Sequence, residues 1–371
     1  MATDTLKKVC GFFLISLGFA GLHADEAPVP EHSENWQAVI REAPYWSSQG
    51  VFANMLSVRR WVLFSSGYCT QQERHLLFDR RGRFIAYVSD QEFRRDTQRK
   101  LNSARAEMAR TGHVETWVPG GENVRGYPFA LACTQPHVDM EAALERYFGE
   151  AEEGRIWGSW DTLKIGTREQ PLSLHSALQA VYQQRTDEGR LDLPAAILED
   201  IAGQLLIESG GQARAHSTAN ARGILQLSPS VLDDCQIPAE LHWHRLAQMD
   251  CALRLTEKNY RNLRPAFEQR FGHLVPLKQE TLFRLLLTQA YHGGTARVLR
   301  LLDDTSDQGA AARYFAAEHE RFSAGDIAFG MLFHNLDRDL IGFSSLYYGA
   351  DVRLAAESIE ARLPSSASPA E

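Results

Sequence analysis

Pro194-Ala-Ala-Ile197-Leu-Glu-Asp-Ile201-Ala-Gly-Gln-Leu205-Leu-Ile-Glu208-Ser-Gly-Gly211 reads as one helix followed by its stop. Proline suits a first helical turn, where its missing N–H has no partner to lose. Ile197, Ile201 and Leu205 recur at helical spacing and form an apolar stripe. Glu208 follows Leu205 by three residues and Gln204 by four, so its carboxylate points where the core-facing side chains point. Ser209-Gly210-Gly211 then ends the helix. Two effects raise the pKa of such a group. Burial on an apolar face disfavours the charged form, and the negative end of the helix dipole repels an anion. A carboxyl held partly protonated near neutral pH is what glycosidic cleavage needs, because the leaving oxygen must gain a proton. Taken alone, the segment equally allows a glutamate that turns out to water at a frayed helix end.

The residues that follow favour chemistry. Glu208-Ser-Gly-Gly-Gln-Ala-Arg-Ala-His-Ser217-Thr-Ala-Asn-Ala-Arg-Gly-Ile-Leu-Gln226-Leu-Ser-Pro229 resembles the signature of the soluble lytic transglycosylase (SLT) family. That signature has Glu-Ser, then a Ser, then Ala-Arg-Gly-Leu-Met-Gln at the same spacing. Gln289-Ala-Tyr291-His292-Gly293-Gly294-Thr-Ala-Arg297-Val298 is similar to the family's Ala-Tyr-Asn-Ala-Gly-Pro-Gly-Arg-Val. The resemblance covers roughly residues 175–340. The chain departs from the pattern at Gly211, where an aromatic is usual, and at His292, where Asn is usual. The family's late Glu-Thr-x-x-Tyr-Val element is not visible, and Phe329 is the candidate for its tyrosine position.

The resemblance implies an α+β chain with a mostly α, lysozyme-like C-terminal domain. It also implies cleavage of the β-1,4 bond between N-acetylmuramic acid and N-acetylglucosamine by a single acid/base, Glu208, without metal or cofactor. Ser217 and Gln226 are then expected to orient Glu208 or the sugar, and Tyr291 to line the cleft. A polar Gln226 inside Gly-Ile-Leu-Gln-Leu needs a hydrogen-bond partner in any case. Two other readings use the same residues. A goose-type lysozyme-like hydrolase would need a second carboxylate to activate water, for which Asp233 and Asp234 are the candidates. A non-catalytic peptidoglycan-binding protein would keep only the fold.

Helical periodicity dominates from about residue 171: residues 174–185, 194–208, 246–271, 280–302 and much of 313–348. Residues 171–350 are therefore expected as one domain, with 351–371 as a tail whose Pro-Ser-rich end is disordered. Residues 25–170 are mixed and read as a small α+β N-terminal domain of unassigned role, through which a protein partner is conceivable. Within it, 61–64 is a short strand candidate. Residues 75–78 and 84–88 form a hairpin around Gly82, and 114–118 and 127–133 form further strands. A helix is expected at 140–148, and a strand or hairpin at 156–165. Phe93, Leu101, Ala104 and Met108 fall at helical spacing in a stretch with Arg94, Arg95, Arg99, Lys100, Arg105 and Arg110. That basic face is the solvated side of an amphipathic helix, or a contact for an anionic wall polymer or a membrane surface.

Lys7 and Lys8, the apolar run 9–22 and Ala24 describe a cleaved signal peptide over residues 1–24. Export implies a periplasmic, oxidising setting for the mature chain. Its removal takes Cys10 and leaves four cysteines, for which the simplest pairing is Cys69–Cys133 and Cys235–Cys251. His242 and His244 between the second pair fit no common zinc spacing. The net charge of −8 gives no electrostatic footprint for nucleic acid. Peptidoglycan glycan strands are the expected partner, and a monomer the expected state.

Overall fold

The computed structural model describes residues 51–64, 74–78, 84–89, 129–132, 138–336 and 338–364, with scattered positions between 91 and 110. The signal peptide, Cys69, Cys133, the strand expected at 114–118 and residues 365–371 lie outside the described residues.

Among the described residues the chain is α+β with helix dominant. It opens with α1 (Val51–Phe64), so residues 61–64, expected as a strand, are the last turn of a helix. The run is apolar but short, and periodicity cannot separate a buried strand from a buried helix end at that length. Strands β1 (Arg74–Phe78), β2 (Phe84–Ser89) and β3 (Phe129–Ala132) form an antiparallel sheet ordered β2-β1-β3. The expected hairpin is present, with Leu76 opposite Tyr87 and a bulge at Leu77/Phe78. Phe93 sits in a bend and is exposed, whereas Arg99 and Arg110 are helical, exposed and paired with Asp96 and Glu107. The described part of the basic stretch is thus a solvated face.

Helix α2 (Met140–Phe148) matches its expected bounds; Asp139 caps its first turn and Gly149, in the left-handed region, ends it. The expected hairpin at 156–165 appears as β5 (Gly158–Trp160) against β6 (Leu163–Ile165). Beside it, β4 (Arg155–Ile156) pairs with β7 (Leu172–Ser173). Met140, Leu144 and Tyr147 share one core with Leu174, Leu178 and Leu205, so packing is continuous across position 170.

The remaining helices are α3 (Leu174–Asp187), α4 (Ile197–Ser209), α5 (Pro229–Asp234) and α6 (Arg245–Phe271). They are followed by α7 (Pro276–Gly293), α8 (Thr295–Leu302), α9 (Ala310–Ala317), α10 (Ala324–His334) and α11 (Phe343–Arg362). The single helix expected over 280–302 is two, broken where Gly294 adopts φ +87°. Residues 351–362, expected as tail, continue α11, which packs along α4 and is buried at Val352, Leu354, Ala355 and Ile359. Helix α4 is covered on nearly every side. The reason is local: a Cβ on Gly203 would lie 2.4 Å from the Val352 carbonyl oxygen, so glycine lets α11 approach the backbone.

Two cross-links hold α6 in place. Cys235, after α5, is disulfide-bonded to Cys251, with Cα atoms 5.6 Å apart. Closing a loop of that size contributes about 3 kcal/mol in the chain-entropy account. Such a bond fits an oxidising compartment. Next to it, Asp250 accepts from Arg185 Nε at 2.7 Å and from the Trp160 indole at 3.1 Å. Both charged side chains are almost fully buried, at 1% and 2% exposure. No helix among the described residues is long and apolar enough to cross a membrane.

Candidate active site

Glu208 occupies the last full turn of α4, one residue before its end, as the helical phase predicts. Part of the residue's surface remains accessible, while its carboxyl group is enclosed by protein atoms. Its Oε1 accepts a hydrogen bond of 2.6 Å from the Tyr348 hydroxyl on α11. Burial pushes the Glu208 carboxyl from its ordinary value of 4.5 up to about 7, and the Tyr348 hydrogen bond pulls against that rise. The carboxyl is therefore divided between acid and base forms near neutral pH. Tyr348 is itself pushed well above its ordinary value, first by burial and then by the Glu208 charge. It stays a donor over any working pH.

Tyr348 is the residue that sequence reading missed. Phe329, the earlier candidate for a late tyrosine, is buried on α10 and packs near Phe333. The signal was weak because α11 is buried on most sides, so its periodicity does not say which of Tyr347 and Tyr348 faces Glu208. Adjacent residues on a helix point about 100° apart. Tyr347 lies under the Arg59 guanidinium, 4.9 Å from ring centroid to charge, and Tyr348 turns to Glu208. The exposed His292 ring stacks on Tyr348 with centroids 4.3 Å apart and 22° between planes.

The loop after Glu208 folds back beside the helix end. Ser209 donates to the Ile224 carbonyl at 2.7 Å and accepts from the Gly211 amide at 3.1 Å. Arg146 of α2 donates to the Gly210 carbonyl at 2.6 Å, satisfying a backbone acceptor at the helix end. Gly211 has φ +77°, and a Cβ there would meet Leu174 Cδ1 at 3.1 Å. A side chain at this position would be strained in its backbone and tight against Leu174. Gly223 is equally constrained: with φ +71°, a Cβ would fall 2.0 Å from the Gln248 side chain.

The other expected site residues support this loop. Ser217 accepts from the Ala221 amide at 3.0 Å and shapes the turn at 217–221. Gln226, at φ +46°, donates to the carbonyls of Ala215 and Gly223 at 2.9 and 3.0 Å. Tyr291 donates to the Leu225 carbonyl at 2.7 Å, tying the end of α7 to the same loop. Its own pKa is raised by burial and by the Glu208 charge, which puts its ring in the same neighbourhood. Among the hydrogen bonds of the described residues, Glu208 receives Tyr348 and neither Ser217 nor Gln226. Asp233 and Asp234 are exposed on α5, where Asp233 lies 3.4 Å from His242.

Chemically, the arrangement offers one proton-bearing carboxyl, a phenol fixed against it, and a glycine-rich loop whose backbone is held by side chains. Among the described residues no group of three or more His, Cys, Asp or Glu side chains is placed to hold a metal ion. Tyr348→Phe removes the bond that stabilises the carboxylate. The pH at which Glu208 loses its proton is expected to move upward, and a pH titration of the variant checks this. No protein-family model matches the chain, and no curated protein matches it.

Proposed function

We propose that the chain is a peptidoglycan lytic transglycosylase with a lysozyme-like domain, exported to the periplasm. One observation carries the reading. Glu208 is an enclosed carboxyl whose pKa lies near 7, at the end of a helix and beside a loop of SLT-like sequence. Most glycosidases use two carboxylates, roughly 5 Å apart for retention and roughly 6.5–9.5 Å apart for inversion. Here the two acidic candidates for a second role are exposed on α5, and Asp233 lies beside His242. That favours a mechanism with one carboxyl over a hydrolase of the goose type.

In the proposed reaction, protonated Glu208 gives its proton to the oxygen between N-acetylmuramic acid and N-acetylglucosamine as the C1–O bond breaks. The resulting carboxylate takes the proton from the muramyl C6 hydroxyl, whose oxygen bonds to C1 and closes the 1,6-anhydro ring. The carboxyl ends as it began, so the cycle needs no cofactor. Tyr348 holds the carboxyl in one orientation and supports its charged form between the two proton transfers. The backbone of the loop 211–227, fixed by Ser209, Gln226 and Tyr291, is the surface offered to the glycan. Mass spectrometry of digested peptidoglycan tests the assignment. Anhydromuramyl ends are expected; reducing ends would point to hydrolysis, and binding without released muropeptides to a non-catalytic protein.

A further inference from the structure

Helix α1 comes from the part of the chain to which sequence reading gave no role, yet it is built into the side of the site helix α11. Its Arg59 is 2% exposed and makes a bidentate pair with Asp351, with Nε and Nη2 2.6 and 2.7 Å from the two carboxylate oxygens. The same guanidinium lies over Tyr347. Arg59 therefore grips α11 at two positions four residues apart, and Tyr348 lies between them. The rest of α1 is fixed independently of this pair. The Phe52 amide donates to Asp326 Oδ1 at 2.9 Å, and the Phe52 ring fills the space where Gly325 of α10 has no side chain. Met55 is fully buried. On the opposite side, Gln289 of α7 donates to the Ser345 carbonyl at 2.8 Å, one turn before Tyr348.

A hydrogen bond of 2.6 Å tolerates little movement of either partner. A tyrosine hydroxyl lies roughly 9 Å from the helix axis, so a rotation of about 10° carries it some 1.5 Å, which is enough to break that bond. We propose that Arg59 is a positioning residue for the reaction. By clamping Asp351 and Tyr347 it fixes the rotation of α11 and so holds the Tyr348 hydroxyl on Glu208. The N-terminal segment is on this account part of the catalytic machinery, and anything that displaces α1 detunes the acid/base. The inference rests on the transglycosylase reading for its kinetic consequences, and on the Tyr348–Glu208 contact alone for its physical ones.

The test is a double-mutant cycle in the full chain. The groups facing Glu208 and Tyr348 are Tyr291 and His292 of α7 and Asp351 of α11, and the nearby charge at the α4 end is Arg146 on the Gly210 carbonyl; all stay unchanged except as stated. Arg59→Met is expected to lower kcat about tenfold with KM retained, as a misplacement of catalytic groups does. It is expected to move the alkaline limb of muropeptide release upward, in the direction of Tyr348→Phe. In a Tyr348→Phe background Arg59→Met should produce no further movement of that limb, because the bond it acts through is gone. An Arg59→Met variant that melts earlier but keeps the wild-type limb overturns the proposal, and so does a shift that adds fully to that of Tyr348→Phe. If Arg59→Met does not fold, Asp351→Asn, which keeps the shape of the side chain, takes its place in the cycle. A second readout does not need activity: the pH at which the stability advantage of Glu208→Gln levels off in each background reports the Glu208 titration in the folded chain, whereas its onset is set by the unfolded chain. If the wild type releases no muropeptides, the transglycosylase reading fails, while this plateau pH, expected to rise in Arg59→Met and unchanged if the proposal is wrong, still decides for or against Arg59.

Discussion

Glu208→Gln is expected to abolish muropeptide release, by a factor of at least roughly a thousand, while making the protein more stable at alkaline pH. General acid/base transfer is worth about 10²–10⁴ for each positioned group, and here one carboxyl performs both transfers. Glutamine has the shape of the protonated carboxyl and keeps an oxygen for the Tyr348 hydroxyl, so folding and wall binding should persist. The stability effect has a definite sign. A carboxyl at about 7 in the folded chain and 4.5 otherwise binds more protons when folded across that interval. Stability of the wild type therefore falls as pH rises from 4.5 to 7, by about 3 kcal/mol in all, and is level above. The glutamine variant escapes that loss. Its advantage should be absent below pH 4.5, grow through the interval, and reach about 5–10 °C in Tm at pH 8. Thermal melts across that pH range check it, and equal melting of the two proteins at pH 8 would refute the buried-acid account. Loss of activity with this stability signature also separates a missing proton donor from a misfolded site.

Asp250→Ala is expected to be the most destabilising single change on the helical scaffold, costing about 3–5 kcal/mol in urea unfolding. The reason is the residue left behind. Arg185 is 1% exposed, and removing Asp250 leaves its Nε without a partner, although Glu188 and Thr162 still meet its Nη1. Trp160 and Arg254 lose the same acceptor. An apolar pair, Arg185→Met with Asp250→Leu, should recover most of the stability, because replacing a buried ion pair together removes the desolvation cost of both charges. Failure of the single variant to lower the urea midpoint would show that this network contributes little.

The helical half of the fold was legible because its elements carry local signals. The bounds of α2 and α3 follow from Asp139 and Ser173 as caps and from apolar spacing, and both agree with the sequence to within two residues. The disulfide expected between Cys235 and Cys251 is present, whereas the other expected pair lies outside the described residues. The misreadings have a common cause. Residues 61–64 and 351–362 are helix in both cases because they pack on other helices, α1 on α11 and α11 on α4. Nothing within those short windows distinguishes that outcome from a strand or a tail. The break at Gly294 was visible as Gly-Gly, but it takes the actual φ of +87° to divide one helix into two.

By itself the sequence determined the phase of Glu208. In a helix of 3.6 residues per turn that buries Ile197, Ile201 and Leu205, position 208 falls on the same face, and Gly210 and Gly211 end the helix there. For a carboxyl buried on that face the pKa moves in only one direction, upward. Only the tertiary structure decided what the carboxyl meets. Tyr348 lies 140 residues away along the chain, on a helix so evenly buried that its own pattern assigns no face. The clamp on that helix, Arg59, comes from still farther off, 292 residues from its partner. Contacts at such separations are set by how helices pack, with Gly203 and Gly325 granting the close approaches. Local spacing places a residue on a face, but packing chooses its neighbour.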